Sequence, residues 1–253
     1  MKKKFILIII IILLIIVEVF ALLSLTAKKE NKKEETIKLD TNSELVQKLY
    51  KMANPSDNAV LLDDLYGNDK LTDKYKIAMG ITDYLKENEP IPVENSEYVF
   101  YYIPEDDVDE HIKFILGDSV KYKPQDVIIM MDDICRLNYN KELKRYEDGG
   151  GCGDMGIEKY YRKIDSAFEK GNKIYIKEKS FFVYNDWNDY ISKVSVFSNY
   201  DKKDMLDYFE QDSSEELTID EDKYINKGSV YQYEFEKRDN NNNYIFKGIK
   251  RLK

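Results

Sequence analysis

The chain is poor in the residue types that most catalytic and metal centres need: 253 residues contain one His, one Trp, two Cys and five Pro. With His111 as the sole imidazole, a His-rich transition-metal site cannot form, and every Ser–His or Cys–His catalytic arrangement rests on that one ring. His111 closes the run Asp107-Val-Asp-Glu-His111, which sets Asp107 and His111 at i,i+4 on one helix face. Two ligands do not define a metal site, and an acidic first helical turn facing the macrodipole accounts for the same residues. Cys135 and Cys152 fit neither a CxxC redox motif nor a four-ligand zinc site. The glycine-rich loop Gly149–Gly153 holds neither GxGxxG nor a P-loop Lys-Ser/Thr, and no Asp-x-Asp-x-Asp-Gly loop occurs. Nucleotide and EF-hand calcium binding therefore lack a signature, and neither a cofactor nor a metal is expected.

What is present is acid, tyrosine and one long apolar run. Without residues 1–27, which carry Lys2, Lys3, Lys4 and Glu18, 36 basic and 47 acidic side chains remain, a net charge of −11. Such a field repels polyanions, so nucleic acid is excluded as a partner. Twenty-one Tyr with abundant Lys, Asn and Ile is the usage of an AT-rich coding sequence, which points to a bacterial source. After the Lys tail, Phe5–Val17 is unbroken apolar sequence, and apolar character resumes from Val19 to Ala27. About 23 residues rise roughly 35 Å as a helix, enough to cross a bilayer. The run is longer than a signal h-region, and Leu25-Thr-Ala27 is a poor cleavage site, so an uncleaved transmembrane anchor is expected rather than a signal peptide. The purely basic tail places the N-terminus inside and the rest of the chain outside the cytoplasm, at the cell membrane. Glu18 within the span is either tolerated there or pairs with a membrane partner.

Residues 28–40 are charged and read as a tether, leaving 41–253 as the folded domain. Thr41-Asn-Ser-Glu44 is a capping box opening a helix to about Ala53. Further helices are predicted over about Thr72–Asn88 and Glu105–Leu116, the latter with Val108, Ile112, Ile115 and Leu116 as its stripe and Gly117 as its stop. Downstream the period becomes two. It predicts strands at Tyr98–Ile103, Ser119–Tyr122, Asp126–Met131, Ile134–Tyr139, Leu143–Tyr146, Ile157–Phe168, Lys173–Tyr184, Tyr190–Phe197, Ser229–Arg238 and Tyr244–Lys250. Lys170-Gly-Asn172 and Asp239–Asn243 are hairpin turns. Helices first and strands afterwards predict an α+β fold, with about three helices packed on one antiparallel meander sheet behind the transmembrane helix. That plan resembles cystatin-like and NTF2-like domains by analogy of architecture.

The Lys-rich start and apolar anchor combine with Ser43-Glu-Leu-Val-Gln-Lys-Leu-Tyr50, Tyr66-Gly, Tyr75-Lys-Ile-Ala78, Gly117-Asp-Ser-Val-Lys-Tyr122 and the Gly149–Gly153 loop. In these features, which span most of the chain, it resembles a loose group of membrane-anchored proteins of AT-rich Gram-positive bacteria that have no assigned activity. The resemblance implies topology and no mechanism. Sixteen residues separate Cys135 from Cys152, a spacing that lets the two meet across a hairpin. A disulfide is expected, worth roughly 3 kcal/mol in the chain-entropy model, and with it an oxidising compartment. The alternative, a nucleophilic Cys152 in the glycine loop, needs His111 as its base. Asp63-Asp64 and Asp132-Asp133 are the acid pairs available to a carboxylate-based hydrolase of cell-envelope material. Tyr184, Trp187 and Tyr190, set among Asn and Asp, are the candidate ligand-binding aromatics. With no catalytic signature, the expected function is that of an extracytoplasmic binding or interaction domain for an envelope ligand or protein partner. A hydrolase, or an adaptor of a membrane partner, is the alternative.

Overall fold

A computed structural model describes residues 35–53, 71–94, 96, 98–131, 134–150, 158–187, 190–214, 217–238 and 243–253. Apart from Thr36, the elements below belong to one compact unit, Ile37–Lys253. The expected anchor at 5–27, including Glu18, lies outside the described residues.

Three helices come from patterned segments, two of them with a side-chain N-cap. Helix α1 (Glu44–Ala53) starts at Ser43, whose Oγ accepts the Val46 N–H at 3.4 Å, so the cap is Ser43 rather than the expected Thr41. It buries Val46, Leu49 and Ala53, one stripe of a 3.6-residue period. Helix α2 (Asp73–Tyr84) is capped by Thr72, whose Oγ1 accepts the Tyr75 N–H at 3.2 Å. It is buried from Ile77 through Thr82 without a break, the mark of a helix covered on every face. Helix α3 (Glu105–Leu116) follows Pro104, carries Glu105, Asp106 and Asp107 in its first turn, and buries Val108, Ile112 and Ile115. It ends at Gly117, whose φ of +89° suits glycine and whose N–H reaches Lys113 O at 2.8 Å. A single turn, α4 (Glu221–Tyr224), is capped by Asp220.

Two antiparallel sheets hold the strands. In the larger sheet, β7 (Glu158–Lys170) and β8 (Lys173–Trp187) form a long hairpin, turning at Gly171 with φ +62°. A positive φ at the first turn position is what a two-residue hairpin loop requires. The other edge of β8 is shared. Lys173–Ser180 pairs with β11 (Ser229–Lys237), and Phe182–Trp187 pairs with β9 (Ile191–Phe197). Beyond these lie β12 (Tyr244–Arg251) against β11 and β10 (Met205–Asp212) against β9, while β1 (Thr36–Leu39) borders β7. The smaller sheet runs in the order β2 (Ile91–Pro92), β3 (Tyr101–Pro104), β6 (Arg145–Asp148), β5 (Ile134–Asn140), β4 (Val127–Met131). Helix α3 touches β3 of the smaller sheet and β12 of the larger, and α2 touches β4, so the helices draw both sheets onto one core. A second cluster, with Phe181, Val183, Val194 and Val196, lies on the opposite face of the larger sheet under Tyr224 and Ile225. Alternation along β8 divides its side chains between the two cores.

The expected α+β fold, with about three helices packed on one meander sheet, is overturned. The protein is mostly antiparallel β with four short helices among the described residues, and its strands form two sheets rather than one. Neither a cystatin-like nor an NTF2-like plan describes it. Among the described residues no helix is long and apolar enough to cross a membrane. The error has a physical source: period-two patterning shows that a segment is a strand but not which edge it joins. Ser119–Tyr122 is not a strand, and β1, β2, β10 and α4 are additional to the expected elements. Cys135, on β5, is buried and carries no free thiol, whereas Cys152 lies outside the described residues. Among the described residues no two cysteines lie at bonding distance, because the second partner of the disulfide expected between Cys135 and Cys152 falls outside them.

Candidate binding groove

The outer face of α1, the end of α2 and α3 enclose a groove of about 650 Å³. From α1 come Glu44, Gln47, Lys48 and Lys51, the residues left outward once Val46, Leu49 and Ala53 turn in. The end of α2 supplies Asp83, with Lys86 and Glu87 just beyond it, and α3 supplies Glu110, His111 and Phe114. Phe114 lies about 100° around the helix from Ile115 and so off the core stripe. It is 50% exposed. It also borders a second, smaller depression of about 350 Å³ with Asp106, Asp109, Lys113, Asp118 and Arg238. Phe114 and Glu110 thus form a ridge common to both hollows.

One polar device stands in the groove. Asp83 Oδ2 lies 3.0 Å from His111 Nδ1, and Asp83 Oδ1 accepts from Lys86 Nζ at 2.8 Å. A charged carboxylate only accepts, so the His111 proton sits on Nδ1 and Nε2 is the free ring nitrogen. The Tyr84 ring meets the imidazole edge-on at 5.7 Å. Burial pushes the Asp83 pKa up, but the hydrogen bonds from Lys86 and His111 outweigh it, leaving Asp83 below the ordinary carboxylate value. Among the described residues that line the groove there is no Ser, Thr or Cys nucleophile beside His111. His111 is thus tied across the contact between α2 and α3 rather than along its own helix.

The remaining charges fall into two classes. Lys113 is paired with Asp109 on α3, and Arg238 with Asp118 at 2.8 Å. Among the described residues, Lys48, Lys51, Glu44, Glu87, Asp106 and Glu110 enter no ion pair. Helix α1 is itself fixed from below. The hydroxyl of Tyr50 donates to Oε2 of Glu178, which also accepts from the Tyr233 hydroxyl at 3.0 Å. Glu178 is fully buried on the inner face of β8, between Ile176 and Ser180 in the alternation. A buried carboxylate is sustained by such donors, and sequence gave it no mark among 48 acidic residues.

Of the three candidate aromatics, the structure describes the side chains of Tyr184 and Tyr190. Tyr184 turns toward the main core with the Lys202 ammonium 4.3 Å above its ring. Tyr190 is 79% exposed at the bend before β9, and the side chain of Trp187 lies outside the described part. Asp63-Asp64 and Asp132-Asp133 also fall outside it, and no cluster of three His, Cys, Asp or Glu suited to a metal occurs among the described residues. No family model, curated protein or solved structure matches this chain. Apart from His111, the groove residues were missed because each is ordinary alone. The one available signal was Phe114, an aromatic on the polar side of an amphipathic helix.

Proposed function

We propose that the protein is a binding module whose recognition surface is the groove between α1 and α3. One observation carries this reading: a half-exposed phenylalanine stands between two depressions whose rims keep charged side chains without partners. An apolar anchor ringed by unpaired polar groups is the usual anatomy of a recognition surface. The acidic surface supports a protein partner over any polyanion. Titrating isotope-labelled protein with a library of capped tripeptides tests it. Amide shifts should gather on Glu44–Lys51, Asp83–Glu87 and Asp106–Phe114, and Phe114→Ala should abolish them. Shifts gathered elsewhere on the surface would reject the groove.

A further inference from the structure

The groove's internal ion pairs leave a specific set of charges unspent. Asp83 is committed to Lys86 and His111, Asp109 to Lys113, and Asp118 to Arg238. What remains is Lys48 and Lys51 on the α1 wall, Asp106 and Glu110 on α3, and Glu44 and Glu87 at the rim. The free cations stand on α1, and two of the four free anions stand on α3. Phe114 lies on the ridge beside Glu110. From Asp106 to Phe114 the helix rises about 12 Å, which an extended chain covers in about four residues.

From this arrangement we infer that the groove docks an extended segment of a partner protein with an acidic end, an apolar middle and a basic end. The acidic end meets Lys48 and Lys51, the apolar side chain seats on Phe114, and the basic end meets Asp106 and Glu110. The inference rests on the binding reading above and adds the chemistry and order of the ligand. Four free anions against two free cations make the fit best for a segment of net positive charge, and they disfavour a nucleic acid or an anionic lipid. Charge order across a partly exposed groove sets register and partner choice, while the buried apolar contact supplies most of the affinity.

The test uses the full chain and three fluorescent peptides of one composition: Glu-Glu-Gly-Leu-Gly-Lys-Lys, its reversed sequence, and a scramble with the charges alternating. Anisotropy is read at about 50 mM and about 300 mM salt. One of the two ordered peptides should bind roughly tenfold tighter than the scramble at low salt, and the advantage should shrink at high salt. Phe114→Ala should weaken it about tenfold or more. The double variant Lys48→Glu/Lys51→Glu should instead prefer Lys-Lys-Gly-Leu-Gly-Lys-Lys. Far-UV circular dichroism confirms that these surface variants fold. Equal binding of ordered and scrambled peptides, still lost in Phe114→Ala, overturns the charge order while the binding reading stands. Binding of no peptide, or binding indifferent to Phe114→Ala, overturns both.

Discussion

At the scale of single residues, the molecule uses acids in two different ways. Asp83 is ion-paired at the groove floor, and its pKa lies below the ordinary 3.8 because hydrogen bonds from Lys86 and His111 outweigh the cost of burial. A carboxyl whose folded pKa is depressed stabilises the native state above its unfolded pKa, and that contribution disappears as pH falls through the folded value. Asp83→Asn should therefore lower the urea midpoint at about pH 6, and the gap from the parent protein should close near about pH 2. A gap of constant size across that range would show that Asp83 contributes no charge-linked stability. Glu178 has the opposite setting: full burial, with phenols from α1 and β11 as donors. Tyr139 illustrates the same logic at half-burial, where its 2.5 Å bond to Glu105 holds the hydroxyl proton and pushes the pKa up to about 12. Neither Glu178 nor Asp83 differs from its neighbours in sequence, because burial and pairing are properties of position.

At the scale of elements, the helix and strand limits were largely legible. Glu105–Leu116 was read at the bounds α3 adopts, since Pro, three acids, a periodic stripe and a glycine stop are all local signals. The hairpin β7–β8 was visible in Lys170-Gly-Asn172, and the β11–β12 pair in its alternating aromatics. Short or solvated strands such as β2 and β10 carry too little alternation to be seen. The contact between α2 and α3 shows what the pattern leaves out. A Cβ on Gly80 would lie 2.4 Å from Ile112 Cγ1 and 2.9 Å from Val108 O, so the glycine permits the two helices to approach. Alanine would gain about 1 kcal/mol of helix propensity but incur overpacking of about 1–3 kcal/mol, against a backbone oxygen that cannot rotate away. Gly80→Ala should therefore destabilise by up to about 2 kcal/mol net, measured by urea denaturation. A stabilised variant would mean that the helices separate at little cost.

At the scale of the whole molecule, one core takes side chains from both sheets and from three helices: Tyr146 and Leu137 from the smaller sheet, Phe182 and Tyr233 from the larger, Ile77 and Ile112 between them. Shared burial of this kind couples the layers. Residues 37–253 should accordingly unfold in one transition, with far-UV circular dichroism and near-UV tyrosine signals coincident in denaturant. An early, separate loss of one signal would show that a sheet melts alone. The amino-acid sequence by itself determined the acidic charge balance, the lack of a His-rich ligand set, and the position of most strands and helices. Those follow from composition and from periodicities that are local along the chain. Tertiary structure alone decided which edge each strand joins, the shared edge of β8, the burial of Glu178, the pairing of His111 with Asp83 rather than Asp107, and the groove around Phe114. Each of these depends on contacts between segments far apart in sequence, Tyr50 with Glu178 being separated by 128 positions, and local patterning carries no record of such meetings.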